Sequence, residues 1–235
     1  EPISSTNRNR KESEPVAHAA ACLVRAARGL FHRGLLVGVD GNLSLRLPSG
    51  DILITPSGRV KGWIEPEDLL RVDLDGQVLF GPPGSRPTSE LAMHLAAYRA
   101  RPAVNAVVHA HPPSVVACSV LGLTLLDEAL PEAVLITGRP VILPYATPGS
   151  AEGGLVVAAR ASDGDCFVLE RHGSLTLGAD LDMAFARTES LEQLARLSLL
   201  VWQFRGQAAE DLRLSAEQRA ALETVKRSMG WSQLP

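Results

Sequence analysis

Cysteine is scarce in this sequence: its 235 residues include three, Cys22, Cys118 and Cys166. They are far apart, odd in number and outside any Cys-x-x-Cys pair, which argues against a disulfide framework and a cysteine-rich zinc site. Reduced thiols in a cytoplasmic protein are the expectation. Long apolar runs are missing as well. None approaches the roughly 20 residues that span a bilayer, so no membrane partner is expected. Positive charge is not in excess either: a formal net charge of -3 offers no broad basic field for nucleic acid. A local basic cluster around a phosphate remains compatible with that charge. The stretch from Glu1 to Glu14 is polar and mixed in charge, lacks the apolar centre of a signal peptide, and reads as a flexible tail.

Hydrophobic residues make up 46% of the chain and charged residues 21%, the balance of a globular protein with a sizeable core. Neither an internal repeat nor a long linker interrupts it, so residues 15–235 read as a single domain. Pro15 to Arg33 has helical spacing. The glycine-rich turn Gly38-Val-Asp-Gly-Asn42 leads into strands over Leu43 to Leu47 and Asp51 to Thr55. Val72 to Leu79 reads as a hairpin closed by a type I′ turn at Asp75-Gly76. Thr88 and Ser89 offer an N-cap to a helix over Glu90 to Arg99. A strand over Val104 to His111 precedes a helix opened by Pro112-Pro113. Short strands are expected between Thr124 and Tyr145, then a helix over Ala151 to Arg160. Strands over Asp165 to Leu169 and Ser174 to Leu177 follow, with helices over Leu181 to Phe204 and Ser215 to Met229. Strands and helices intermix, which predicts a mixed sheet covered by helices.

Chemistry concentrates at Val107-Val-His-Ala-His111. Alternation along a strand points His109 and His111 the same way, as a metal-chelating pair requires. A third imidazole is offered by His172 in Glu170-Arg-His-Gly173, at the end of another apolar strand, where Gly173 lets the backbone turn tightly. Three histidines and an open position are the pattern of a catalytic zinc. Histidines at such spacings are also common in cores and on surfaces, and the residues alone leave both readings open. His18, His32 and His94 read as structural or surface residues. Glu90 stands in a first helical turn, where the helix dipole favours a carboxylate whether or not it acts in catalysis. The same helix start, with the Thr88 and Ser89 hydroxyls, is a natural phosphate cradle. Thr55-Pro-Ser57-Gly58 and Gly41-Asn42 are two further turns of that kind.

Taken in order, Gly41-Asn-Leu-Ser44, Ile54-Thr-Pro-Ser-Gly58, Pro87-Thr-Ser-Glu90, Tyr98-Arg-Ala-Arg-Pro102, Ala106-Val-Val-His-Ala-His111, Pro144-Tyr-Ala-Thr-Pro-Gly149 and His172-Gly173 resemble the class II aldolase/adducin family over Val16 to Gly206. The chain is most similar to the L-fuculose-phosphate aldolase branch. The resemblance implies a three-layer α/β/α fold with a central mixed, largely antiparallel sheet, assembled as a homotetramer with active sites at subunit contacts. It assigns His109, His111 and His172 to zinc and Glu90 to acid/base catalysis. Asn42, Ser57, Gly58, Thr88 and Ser89 would hold the substrate phosphate. The implied reaction is zinc-dependent cleavage of a ketose 1-phosphate to dihydroxyacetone phosphate and a short aldehyde. Sites of histidine and carboxylate accept several divalent ions, so manganese and cobalt are alternatives to zinc.

The chain departs from that branch in one respect. Its members often carry a tyrosine after the histidine pair as proton donor to the leaving aldehyde. Leu125-Leu-Asp-Glu-Ala-Leu-Pro-Glu132 has none, and Glu128 and Glu132 read there as acidic candidates or solvated carboxylates. Dehydration, decarboxylation and epimerisation of a pentulose phosphate are alternatives on the same fold. The epimerase branch carries aspartate where Glu90 stands, which argues against it. A non-catalytic adducin-like module would not need the three histidines. A hydrolytic zinc enzyme would not need the phosphate-type turns.

Overall fold

The computed structural model describes residues 5–205 and 212–231. Eight strands form one sheet: β1 (Asn42–Arg46), β2 (Ile52–Ile54), β3 (Leu70–Val72), β4 (Val78–Phe80), β5 (Ala106–Ala110), β6 (Val141–Leu143), β7 (Cys166–Leu169) and β8 (Gly173–Gly178). Their spatial order is β4-β3-β2-β1-β5-β8-β7-β6. Every neighbouring pair is antiparallel except β6 with β7. Helices α1 (Ser5–His32) and α5 (Leu181–Arg205) cover one face, and α2 (Leu91–Ala100) and α4 (Ala151–Arg160) cover the other. Helix α3 (Pro113–Leu121) packs on α5, and α6 (Ala216–Ser228) closes the described chain. This is the three-layer α/β/α arrangement, with a mixed and largely antiparallel sheet, that the motifs implied. Among the described residues no helix is long and apolar enough to cross a membrane.

Two cores lie on opposite faces of the sheet, and the pleat sorts residues between them. Along β5, Ala106, Val108 and Ala110 join α1 and α5, while Val107 joins α2 and α4. The period of two sends His109 to the α2 side as well. On β1, Leu43 joins the α1 core, and its neighbours Asn42 and Ser44 face α2. Pairing of Asn42 with His109 in the β1–β5 ladder places the two side chains next to each other.

Several elements differ from the sequence reading. Helix α1 starts at Ser5, with Pro15 inside it, so the tail expected over residues 1–14 is helical where described; residues 1–4 lie outside the described part. Arg, Lys and Glu, frequent in that stretch, are good helix formers, which a reading from apolar spacing does not weigh. At the hairpin, Gly76 N–H donates to the Asp73 carbonyl and follows the tight turn at φ +85°. The Asp73 carboxylate takes the N–H groups of Asp75 and Gln77, giving a longer loop than a type I′ turn. Between Thr124 and Tyr145 only β6 is a strand. Ala133–Thr137 is a π-helical turn, closed by the Thr137 hydroxyl on the Ala133 carbonyl.

Candidate metal centre and active site

Four side chains meet at the ends of β5, α2 and the β7–β8 turn: Glu90, His109, His111 and His172, whose ligand atoms lie within 4.8 Å of one another. His109 is fully buried, and its Nδ1 sits 2.8 Å from the Ser174 carbonyl oxygen. A carbonyl only accepts, so Nδ1 carries the proton and Nε2 keeps its lone pair for the site. His111 follows directly after β5, its backbone N–H held by the Leu35 carbonyl. Its Nε2 lies 3.0 Å from His109 Nε2, and its Nδ1 lies 3.8 Å from Asp40 Oδ2. His172 is carried by a turn in which Arg171 adopts φ +59° and the His172 N–H closes on the Leu169 carbonyl. Gly173 is required there: a Cβ would stand 2.3 Å from the Ala110 oxygen, so only glycine lets β8 run this close to β5. The three imidazole centroids are 4.8 to 4.9 Å apart.

Glu90 occupies the cap position of α2, one residue later than the N-cap read from Thr88 and Ser89. The Thr88 hydroxyl instead accepts the Glu90 N–H. Glu90 Oε2 lies 2.9 Å from His109 Nε2 and accepts the Asn42 amide at 3.0 Å. Its Oε1 is buried without a hydrogen bond, although His172 Nε2 is 3.2 Å away. Burial alone would raise the pKa of this carboxyl. The closeness of His109, the hydrogen bond from Asn42 and the nearby His172 outweigh it, so Glu90 is held well below the usual carboxylate range. Burial also pushes His111 down to about 3, helped by His109 and His172, and lowers His172. Both shifts favour the neutral ring, the form that binds a metal.

The donor set fits a divalent ion on its own chemistry. Two imidazole nitrogens facing each other at 3.0 Å need a proton or a cation between them, and an unpaired buried carboxylate oxygen faces the same point. Nitrogen and oxygen donors without sulfur suit zinc and its neighbours.

The residues expected around a phosphate divide into two groups. The turns at Ser57-Gly58 and Thr88-Ser89 are tied together by a bridge between Pro56 and Pro87 and by the Thr88 N–H on the Thr55 carbonyl. Ser57, Gly58 and Ser89 are exposed, whereas Thr88 is buried. Asn42 is buried too, and its amide is committed on both sides, to Glu90 and to His94. The loop from Pro144 to Gly149 lies over Glu90 and His172 and shares a narrow cleft with them. Glu128 is held by Arg213 and borders a separate cavity of about 490 Å³; Glu132 is exposed.

Two residues of this neighbourhood escaped the sequence reading. His94, read as structural or surface, is fully buried one helical turn after Glu90 and touches Asn42 and Ser44. Lys61 is buried, with Nζ donating to the carbonyls of Val39 at 2.8 Å and Arg59 at 2.9 Å. Burial lowers its pKa to about 8 against the pull of Asp40 and Glu90. It joins the turn before β1 to the turn that carries Ser57 and Gly58. A lysine in a polar loop gives no local signal of this. His94 could have been noticed from the four-residue spacing of Glu90, His94 and Tyr98.

Residues 21–199 match the family of class II aldolase and adducin N-terminal domains. The chain is 38% identical over 175 residues to an L-fuculose phosphate aldolase of Methanococcus vannielii, covering 74% of this chain and 92% of that protein. It is 36% identical over 183 residues to a 3-oxo-tetronate 4-phosphate decarboxylase of Escherichia coli, covering 76% and 85%. The crystal structure of YgbL from Escherichia coli matches with a TM-score of 0.79 at 33% identity, over 88% of this chain and 98% of that one. On this sequence match, this fold and this cluster of three histidines and a glutamate, the chain belongs to the class II aldolase and adducin family.

Proposed function

We propose that the chain is a divalent-metal-dependent lyase that breaks a carbon–carbon bond beside a carbonyl in a small phosphorylated sugar. Zinc is the metal assigned, and a ketose 1-phosphate cleaved to dihydroxyacetone phosphate and a short aldehyde is the first substrate. The observation that carries this reading is Glu90, buried, with Oε1 without a hydrogen bond among three converging imidazoles. An ion held by His109, His111 and His172 supplies Lewis acidity toward the substrate carbonyl. Glu90 carries the proton to the carbon left by cleavage, from a position that Asn42 and His109 fix. The exposed Ser57, Gly58 and Ser89, on two joined turns, receive the phosphate with the start of α2 behind them.

A second reading, decarboxylation of a phosphorylated 3-oxo sugar acid, is favoured by a specific feature. Retro-aldol cleavage must remove a hydroxyl proton from the departing aldehyde, and among the described residues Glu90 is the one buried carboxylate in the cluster, Asp40 standing half exposed beside His111. Loss of carbon dioxide removes no such proton; the enolate it leaves takes up one proton, which Glu90 would collect from solvent and deliver, so one carrier suffices. Relatives named for each reaction match at similar identity. The test is a panel of ketose 1-phosphates and phosphorylated 3-oxo acids given to metal-loaded protein, with dihydroxyacetone phosphate and carbon dioxide both measured. Release of dihydroxyacetone phosphate supports the aldolase. Carbon dioxide alone assigns the decarboxylase, and neither product removes both.

A further inference from the structure

The inner face of α2 and the facing side of β1 carry matching polar stripes. Glu90, His94 and Tyr98 stand one helical turn apart, and Asn42 and Ser44 alternate on the strand beneath them. The stripes interlock as a single chain of hydrogen bonds. Tyr98 Oη lies 2.8 Å from Ser44 Oγ, and Ser44 Oγ lies 2.6 Å from His94 Nδ1. His94 Nε2 lies 2.5 Å from Asn42 Oδ1, and Asn42 Nδ2 lies 3.0 Å from Glu90 Oε2. All five residues are buried.

Chemistry fixes the direction of every bond. An ionised carboxylate only accepts, so Asn42 must present its NH2 to Glu90 and its carbonyl oxygen to His94. That oxygen in turn only accepts, so His94 Nε2 carries the proton. In a neutral imidazole Nδ1 is then bare and accepts from the Ser44 hydroxyl, which accepts from Tyr98. Reversing one member leaves two like groups facing each other in a buried site. The chain therefore selects one orientation of the Asn42 amide, the one that offers an N–H to Glu90.

We propose that His94 is a positioning residue: through Asn42 it holds the Glu90 carboxylate in the orientation that faces His109 and His172. The consequence for turnover rests on the role assigned to Glu90 above; the tautomer and amide orientation do not. The first test is nitrogen-15 NMR of the histidine rings of the full chain at neutral pH, with the His94 signals assigned by their loss in His94→Gln. A protonated Nε2 and a bare Nδ1 support the chain, and the opposite tautomer or a charged ring overturns it.

The second test compares His94→Leu with His94→Gln, whose amide keeps an N–H without the ring. His94→Leu should lower kcat by about 10- to 100-fold with KM and bound metal little changed, and His94→Gln should recover part of the loss. A kcat unchanged in a folded His94→Leu protein would overturn the positioning role. If His94→Leu fails to fold, the Gln variant and the NMR result decide. The expected tautomer in a chain that cleaves no tested substrate would leave the chain of bonds standing and remove the proposed reaction instead.

Discussion

Glu90 Oε2 stands 2.9 Å from His109 Nε2, joining the cap residue of α2 to the penultimate residue of β5. The His109 proton is committed to the Ser174 carbonyl on the far side of the ring, so the side facing Glu90 holds a lone pair. Two acceptors at that distance are reconciled by a cation or a shared proton. The relationship joins the proposed proton carrier and the proposed metal ligands in one unit.

Replacing Glu90 with Gln keeps the shape and removes the group proposed to carry the proton. Turnover should fall by about 100- to 10,000-fold, the usual contribution of a general acid/base group. Metal content should persist through the three histidines. Full carbon–carbon cleavage by a metal-loaded Glu90→Gln protein would show that Glu90 is not the carrier.

Asp40 lies 3.8 Å from His111 Nδ1 and is half exposed. A negative charge on that side of the ring would stabilise a cation bound at Nε2, so Asp40→Ala should weaken metal affinity by about 10-fold. Competition with a chelator of known affinity measures this. The melting temperature of the metal-free protein should hardly move, since the side chain packs against little.

Acid should destabilise the metal-free fold through its buried imidazoles. His94 and His111 are lowered from an ordinary value of 6.5 to about 3, first of all by burial. Below about pH 6.5 the unfolded chain binds protons that the folded chain refuses, so stability falls as pH drops toward 3 and is complete above 6.5. The drop in melting temperature between about pH 7 and about pH 5 should be smaller in metal-free His94→Gln than in the wild type. An equal drop in both would show that His94 contributes nothing to it.

Gly173→Ala places a Cβ against the Ala110 oxygen, where the room is 2.3 Å. Strands β5 and β8 must then separate, at a cost of about 1–3 kcal/mol in stability. His172, next in the chain, should leave the cluster with it. Thermal melting and metal titration together test this, and unchanged metal affinity would contradict it.

Much of the site was legible in the sequence because its parts are local. Alternation set His109 and His111 on one side, and Gly173 drew notice beside His172. Arg171 takes the turn at φ +59°, however, and Gly173 serves instead to let β8 run close to β5. Pairing across the sheet was not legible. No local pattern says that β1 lies beside β5, and that neighbourhood alone brings Asn42 to Glu90 and His94. Asn42, which the resemblance implies for the phosphate, has its amide committed within the protein. Lys61 was missed for the same reason: its partners, the carbonyls of Val39 and Arg59, are backbone groups that leave no mark in composition. Between Thr124 and Tyr145 the apolar residues suggested several strands, but the sheet ends at β6, and Ala133–Thr137 turns as a π-helix against α5.

The most direct test of the central claim is carbon–carbon cleavage across the substrate panel by three samples: zinc-loaded wild type, chelated wild type, and zinc-supplemented His111→Ala. Activity in the first, its loss in the second with recovery when zinc returns, and little in the third is the expected result. Equal activity in all three would contradict a metal-dependent lyase at Glu90, His109, His111 and His172.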